Sequence, residues 1–519
     1  MIDMMSFDYR KHAARLIVIF AAAAILNILP VFITGVPLDK QLSSDAEYHV
    51  VHWQEFSKSY SGNFQKDDMF RLDTRPAGDL LFDKILVAVG EFLKQRVDRW
   101  SVIVSALALA LFLGAVYFVV SYSLQSPTTG FIVGLGSIVP TFALGGASWG
   151  FLTQGFVPKE LAMSMAIWLL LLYFYGIRNR SPWHIRTVFL VSGVLSNWYP
   201  VLFFHYALML GLAETIRLKT LNKEHLFYAL FYFVGAPLAL WDIFRKSQET
   251  SSLDLEILRS RFGYMMLSSW QYAILHYLRR FLIYLFILPG LYFIAKRRLA
   301  ESEKSELSPW YAIAISAATI SILGLLLENF SPLTKFLFSR TSIWFLFASM
   351  VVVVVALQKI FSKKMGLVTG MTLLIFLGQS AIPSIYRQLR NDYTNAENYR
   401  RYLAVLTKLQ DLVPSQEIIL ANPKDANKIR AYGNRGVYVA WKDGGISLLD
   451  GKGGAEWLKR MRETTEIFDK KDFGLFKKFA EEKNLNYLLY QDGDIEIGKS
   501  ELEKNTIFKL APFGITKIF

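Results

Sequence analysis

The stretch SSDAEYHVVHW, Ser43 to Trp53, gathers two carboxylates (Asp45, Glu47), two histidines (His49, His52) and two aromatic residues (Tyr48, Trp53). Asp45 and Glu47 are two positions apart. On a helix they diverge by about 200°; on an extended segment they share a face. A carboxylate partly shielded from water gains a raised pKa and can act as a general base. A facing pair can hold a divalent cation through oxygen ligands. The plainer reading is a solvated loop with ordinary surface acids. His49 and His52 fall on one helical face, and with Asp45 or Glu47 they could complete a zinc site. No HExxH motif supports that option, and a histidine more often stacks or hydrogen-bonds a substrate hydroxyl.

Cations able to meet an anionic substrate occur at three other places. Lys159, followed by Glu160, lies in GFVPKELA; Arg340 lies in FLFSRTSIW; Arg75 precedes Pro76. Arginine binds phosphate through a fork of donors, and lysine as a point charge. The alternative is snorkelling toward lipid head groups, which suits Lys159 well. Arg340 opens an otherwise apolar run, and charges inside membrane segments usually serve function.

These residues must be positioned by a membrane protein. Of 519 residues, 53% are hydrophobic, 15% aromatic and only 19% charged, against about 25% charged in soluble chains. Apolar runs near 13–34, 99–122, 129–147, 160–177, 186–198, 200–216, 225–243, 271–295, 309–327, 341–358 and 366–387 predict about eleven helical spans. The fifth and sixth are short and hinge at Asn197-Trp198-Tyr199-Pro200. The first is too long for a signal-peptide core and is read as a retained span. Basic clusters at Arg10, Lys11 and Arg15, at Arg178, Arg180 and Arg186, at Arg217, Lys219 and Lys223, at Lys296 to Lys304, and at Lys359 to Lys364 then all fall on one side. The positive-inside rule makes that side cytoplasmic. The 245–261 stretch is the exception, a long segment that is also acidic. The N-terminus is expected inside, and residues 35–99 form a large outer loop carrying Asp45 and Glu47. Within that loop Leu80, Leu81, Ile85, Leu86, Val89 and Phe92 recur at helical spacing, predicting an amphipathic helix on the membrane surface or against the bundle.

All but +2 of the net charge of +14 lies before Asn391, in the loops of the membrane part, which fits topology and anionic lipid. No nucleic-acid-binding motif accompanies it. Cysteine is absent, which removes disulfides and thiolate chemistry. The reading is therefore a transmembrane module over 1–390 and a small outer α/β domain over 391–519. The latter rests on strand-like EIILAN, GVYVAW, LNYLLYQ and ITKIF, separated by helical segments near 424–432, 454–464 and 471–483.

This order resembles the GT-C superfamily of membrane glycosyltransferases, which take a sugar from a polyprenyl-phosphate or polyprenyl-diphosphate carrier. DAEYH matches the acidic motif of that family's first outer loop. PKELA resembles its Pro-Arg-x-x-Ala stretch, with Lys159 where arginine is usual. SNWYPVLFFHYA resembles its hinged helix pair, with Tyr199-Pro200 in place of His-Pro. GVYVAWKDGG, from Gly436, looks like a stretch in the outer domain of bacterial relatives. The resemblance implies a multi-pass plasma-membrane (inner-membrane) enzyme acting on the extracytoplasmic face. It implies Asp45 as base or metal ligand for a glycan, lipid or protein acceptor, with Glu47 orienting it, binding the acceptor or sharing a cation. Arg340 and Lys159 would meet the carrier phosphate, and Tyr48, His49, His52 and Trp53 would line the sugar site. A divalent cation is the one cofactor considered. The alternatives are a non-catalytic scaffold or transporter of envelope polysaccharide assembly that kept the fold. An acyl or phosphoryl transferase lacks a supporting motif.

Overall fold

A computed structural model describes residues 9–57, 77–142, 148–150, 155–241, 289–293, 296–327, 337–361, 382–448 and 451–519, with single or paired positions at 144, 256–257, 260, 285 and 370. Arg75 and most of the expected spans at 271–295 and 366–387 lie outside the described residues. Among those described, six helical stretches are long and apolar enough to cross a bilayer. They are α1 (Tyr9–Thr34), α4 (Val97–Ser123), α6 (Pro158–Arg178), α8 (Pro200–Leu218), α10 (Glu301–Leu327) and Phe338–Ile360, a 3-10 turn running into α11 (Ser342–Ile360).

Three further expected spans are shorter helices: α5 (Pro127–Gly136, 10 residues), α7 (Pro182–Ser196, 15 residues) and α9 (Lys223–Gly235, 13 residues). At 1.5 Å per residue, α5 rises only about 15 Å. The run at 129–147 is thus not one regular span. Yet the chain must return over it, because α4 and α6 run parallel. Ser105 of α4 meets Glu160 near both N-termini, and Tyr122 meets Tyr175 near both C-termini. The return is completed by a hairpin of β1 (Thr141–Phe142) and β2 (Ser148–Trp149). Irregular backbone at this depth must be buried in protein. Here Trp149 is fully buried, stacks on Phe347 with centroids 4.1 Å apart, and donates from Nε1 to Ser137 Oγ at 3.0 Å.

The hinged pair α7 and α8 forms where the Pro200 break was expected, and α9 packs along α7. The two touch through glycines: a Cβ on Gly193 would lie 2.1 Å from the Tyr232 carbonyl oxygen, and one on Gly235 2.3 Å from that of Leu190. Asn197 serves the break that Pro237 imposes after α9. Its Oδ1 accepts from Leu238 N and Ala239 N at 2.9 and 3.0 Å, and its Nδ2 donates to Gly235 O at 2.8 Å. Such side chains are what make a proline break tolerable in a membrane helix. Asn197→Ala is expected to lower stability by about 1–3 kcal/mol, read as thermal unfolding of the detergent-solubilised chain.

Contacts sort the helix ends into two sets. Arg15 meets Thr128, Lys359 pairs with Glu303, Trp310 bonds Ser123, and Arg217 pairs with Glu214. This end carries the basic clusters at 10–15, 178–186, 217–223 and 296–304, together with Lys359. At the other end Lys40 pairs with Asp98, and Ser101 Oγ accepts from Phe156 N. There α2 (Ser44–Phe56) and α3 (Ala77–Phe92) pack on the bundle. The apolar residues of α3 divide rather than forming one face. Phe82, Leu86 and Val87 turn inward toward Trp53 and Trp100, while Leu81, Ile85, Val89 and Phe92 remain exposed.

The tail begins on α12 (Ile382–Leu412), which runs unbroken across position 390. Five strands follow: β3 (Ile418–Leu420), β4 (Gly436–Val437), β5 (Tyr487–Gln491), β6 (Thr506–Leu510) and β7 (Phe513–Lys517). They form one sheet in the order β4-β3-β5-β7-β6, parallel across β4-β3-β5 and antiparallel across β5-β7-β6. Side chains alternate across it. Ile419, Tyr487 and Leu489 face a core shared with α12, α13 (Ala426–Gly433) and α2. Ile418, Leu420, Leu488 and Tyr490 face α14 (Gly451–Lys470) and α15 (Phe473–Lys483). The four strand-like sequences and three helical segments are found near their expected positions. The short helix α16 (Lys499–Asn505) and edge strand β6 were not foreseen.

Candidate active site

The acidic stretch forms α2. Ser43 is its N-cap, its Oγ accepting from Ala46 N at 3.2 Å, and Asp45 and Glu47 fall in the first turn, where the helix dipole favours carboxylates. Helix formation decides the relation of the two acids. Asp45, His49 and His52 align along one stripe, and Glu47 turns about 200° away. The Asp45 side chain is 60% exposed, whereas Glu47 is 2% exposed against the C-terminal layer. This corrects the expectation that the two share a cation, since they face different surroundings. Among the described residues no three carboxylate or histidine side chains gather in a metal-holding group. Burial pushes the Glu47 carboxyl up to about 8; Lys428 and Lys442 draw it down, while Asp425 and Asp45 add to the rise.

Asp45 forms an ion pair with Lys442, 397 residues away on the C-terminal layer. It also lies close enough to Lys159 and Glu160 to interact electrostatically with both, and Lys159 interacts likewise with Arg340. Four segments thus meet at one end of the bundle. Lys159 and Glu160 stand in the first turn of α6, started by Pro158. Glu160 is buried and accepts from Ser105 Oγ at 2.7 Å. Lys159 Nζ donates to Ser148 Oγ of the hairpin at 3.3 Å. Arg340 sits on the 3-10 turn Phe338–Thr341, directly before α11. Phe338 presses this turn against α10, where a Cβ on Gly324 would lie 2.3 Å from the Phe338 Cβ. Ser342 Oγ donates to Leu144 O at 3.3 Å, tying the hairpin to the start of α11.

Other expected site residues are placed differently. Trp53 is buried in a core with Val104 and Phe156, stacks on Phe156 at 5.4 Å, and donates from Nε1 to Asp83 Oδ1 at 2.9 Å. It holds α2 on the bundle and lines no open sugar site, which corrects that expectation. Tyr48 lies edge-on to His49 and His52, with centroids 5.8 and 4.9 Å apart; His52 is buried and His49 half-buried. Lys442 lies in GVYVAWKDGG, outside the set of expected site residues. Its placement comes from a buried pair. Arg430 donates from Nη1 and Nη2 to Asp443 Oδ1 and Oδ2 at 2.7 and 2.9 Å, and Ala440 N donates to Asp443 Oδ2 at 2.8 Å. The turn Trp441–Leu448 is pinned by these bonds, and Lys442 lies over the Trp441 ring, 5.4 Å from its centroid.

No family model matches this chain, and no curated protein matches it. Solved structures do. The apo crystal structure of the Archaeoglobus fulgidus oligosaccharyltransferase aligns over 92% of this chain and 69% of its own, at 10% identity and a TM-score of 0.50. Archaeal AglB from Archaeoglobus fulgidus, in complex with an inhibitory peptide and a dolichol-phosphate, aligns over 93% and 70% at 12% identity and a TM-score of 0.47. The same oligosaccharyltransferase, tethered to an acceptor peptide containing the NVT sequon, aligns over 93% and 69% at 12% identity and 0.46. At such low identity the likeness concerns architecture alone. In its architecture the chain resembles an archaeal oligosaccharyltransferase, a GT-C glycosyltransferase, over nine-tenths of its length.

Proposed function

We propose that this chain is an integral-membrane glycosyltransferase that moves a sugar from a polyprenyl-(di)phosphate carrier to a hydroxyl-bearing acceptor on the extracytoplasmic face. The observation that carries the reading is the meeting of Asp45, Lys159, Glu160 and Arg340 at the end of the bundle opposite the basic clusters. The positive-inside rule assigns the basic end to the cytoplasm. A carrier held by its prenyl tail in the bilayer would present its phosphate at the depth of Arg340.

In this reading Arg340 and Lys159 hold the phosphate and stabilise the charge it gains as the sugar departs. Glu160, bonded to Ser105, holds countercharge beside Lys159 and keeps the ammonium directed at the site. The acceptor hydroxyl enters from the aqueous side beside Lys442 and Trp441. It exchanges with Lys442 at the Asp45 carboxylate, which takes the hydroxyl proton as oxygen attacks the anomeric carbon. The C–O bond to phosphate breaks, and the electron pair leaves with the phosphate.

The test uses undecaprenyl phosphate and, as a neutral control, undecaprenol, with the full chain in nanodiscs. The phosphate is expected to bind more tightly than the alcohol, and Arg340→Ala to weaken phosphate binding by about 10- to 100-fold, as loss of a charge-assisted contact of about 1.5–3 kcal/mol requires. Equal binding of phosphate and alcohol by the unaltered chain would remove the carrier-phosphate reading.

A further inference from the structure

The end of the bundle opposite Asp45 holds a cavity of about 380 Å³. That size falls in the range of ~300–1,000 Å³ usual for small-ligand sites. It lies where the turn from α4 into α5, the first turns of α10 and the last turns of α11 meet, at the level of the helix ends. Sugar transfer at Asp45 makes no use of it.

The polar groups lining the cavity are sorted by element. The carboxylates of Glu303 and Glu306 come from α10, whereas the donors come from α5 and α11. Lys359 brings an ammonium, which pairs with Glu303. Gln358 Oε1 accepts from Thr129 Oγ1 at 2.8 Å, which orients the amide and leaves its two N–H groups to donate. Thr128 Oγ1 accepts from Arg15 Nη2 at 3.3 Å and keeps its own proton to donate. Glu306 meets a neutral amide: Gln125 Nε2 donates to its Oε1 at 2.7 Å, while Arg178 acts on its charge from a distance. The lining thus sets two carboxylates against one lysine. Leu124, Leu307 and Val355 supply an apolar wall.

We propose that this cavity binds the phosphoethanolamine head of a membrane lipid, its ammonium on Glu306 and its phosphate on Lys359, Gln358 and Thr128. The basic clusters at this end attract anionic lipid in general. The cavity itself has an excess carboxylate, so its ligand must bring a cation as well as a phosphate. A primary ammonium offers three N–H donors to carboxylate and hydroxyl oxygens, and a choline offers none. A phosphoglycerol head brings no cation. The apolar wall covers the glycerol and the first acyl carbons, which a soluble head group lacks. A lipid so placed ties α10 to α5 and α11. None of this rests on the sugar-transfer reading.

The test titrates the full chain, delipidated in a neutral detergent, with dioleoyl phosphatidylethanolamine, phosphatidylcholine and phosphatidylglycerol. Native mass spectrometry reads the bound fraction. Phosphatidylethanolamine is expected to bind about 10- to 100-fold more tightly than phosphatidylcholine, the range of one charge-assisted hydrogen bond. Phosphatidylglycerol should bind more weakly than phosphatidylethanolamine, and Glu306→Gln should erase the preference for ethanolamine over choline. Free phosphoethanolamine should compete at least about tenfold more weakly than the lipid, since it leaves the apolar wall uncovered. Equal binding of the three lipids by the unaltered chain overturns the proposal, even where the variant does not fold. Tightest binding of phosphatidylglycerol overturns it too, and so does an ethanolamine preference that survives Glu306→Gln. Free phosphoethanolamine binding as tightly as the lipid would overturn the lipid assignment.

Discussion

Asp45→Asn is expected to reduce sugar transfer by about 10²- to 10⁴-fold, the range assigned to a positioned general base. The substitution keeps the shape of the side chain and removes its ability to take a proton. Its cost to the fold should be small. Asp45 is more than half exposed, and its pair with Lys442 is of the exposed kind that contributes up to about 1 kcal/mol. The α2 contacts that matter for stability, Ala46, Val50, Val51 and Trp53, are untouched. Thermal unfolding should therefore stay within a degree or two of the unaltered chain. Binding of undecaprenyl phosphate should persist, because Arg340 and Lys159 remain. The measurement is transfer of labelled sugar from polyprenyl-phosphate-linked donors in membranes containing the full chain. Retained transfer with normal expression would withdraw the base role from Asp45. Lost transfer together with lost phosphate binding would instead indicate a damaged site.

Asp443→Ala should act by another route and cost about 3–5 kcal/mol, as does breaking a buried ion pair by removing one member. Arg430 is fully buried, and without Asp443 its guanidinium would lose two charge-assisted bonds, of 2.7 and 2.9 Å, while the weaker 3.3 Å bond to Asn427 stays. The peptide N–H of Ala440 would lose its acceptor as well. A paired replacement, Arg430→Met with Asp443→Leu, removes both charges and should recover most of the loss. Denaturant unfolding of the full chain, followed by exchange protection of α13 and α14, reads this out. The single variant should also free Lys442, since the turn that carries it is pinned through Asp443. A mild effect from Asp443→Ala would mean that the turn is held chiefly by other contacts, such as Trp457 Nε1 donating to Ala440 O at 3.1 Å.

Much of this arrangement is written in local patterns. The apolar runs mark the crossing helices because each must satisfy its own backbone hydrogen bonds in hydrocarbon. The described basic clusters between them group at one end of the bundle. Pro200 marks the hinge between α7 and α8, since proline suits the first turn of a helix and interrupts its interior. The short continuous apolar run in LNYLLYQ identifies β5, a strand buried on both faces, with Leu488 and Leu489 entering opposite cores. Lys159 and Arg340 are charged beside apolar runs, and the two interact electrostatically with each other. The spacing of Asp45 and Glu47 left helix and strand open, and each conformation implied a different chemistry.

What the linear pattern could not contain is which surface each face would meet. Asp45 and Glu47 are similar acids two positions apart; only docking of the C-terminal sheet buries one and leaves the other exposed. Trp53, chosen as a sugar-stacking ring, is consumed by packing on Phe156, because an aromatic side chain reads alike in a core and in a binding site. Lys442 reaches Asp45 across 397 positions, through a turn held by Arg430 and Asp443. The run at 129–147 is apolar enough for a span, yet Thr141–Phe142 within it pairs as a strand with Ser148–Trp149, where Ser137 and Phe347 hold Trp149 and Ser342 bonds Leu144. Local periodicity determined the helices, the strands and the side of the bundle on which charge collects, since those follow from hydrogen bonding and solvation along a few neighbouring residues. The composition of the site was decided by tertiary packing, since it depends on contacts between segments hundreds of residues apart.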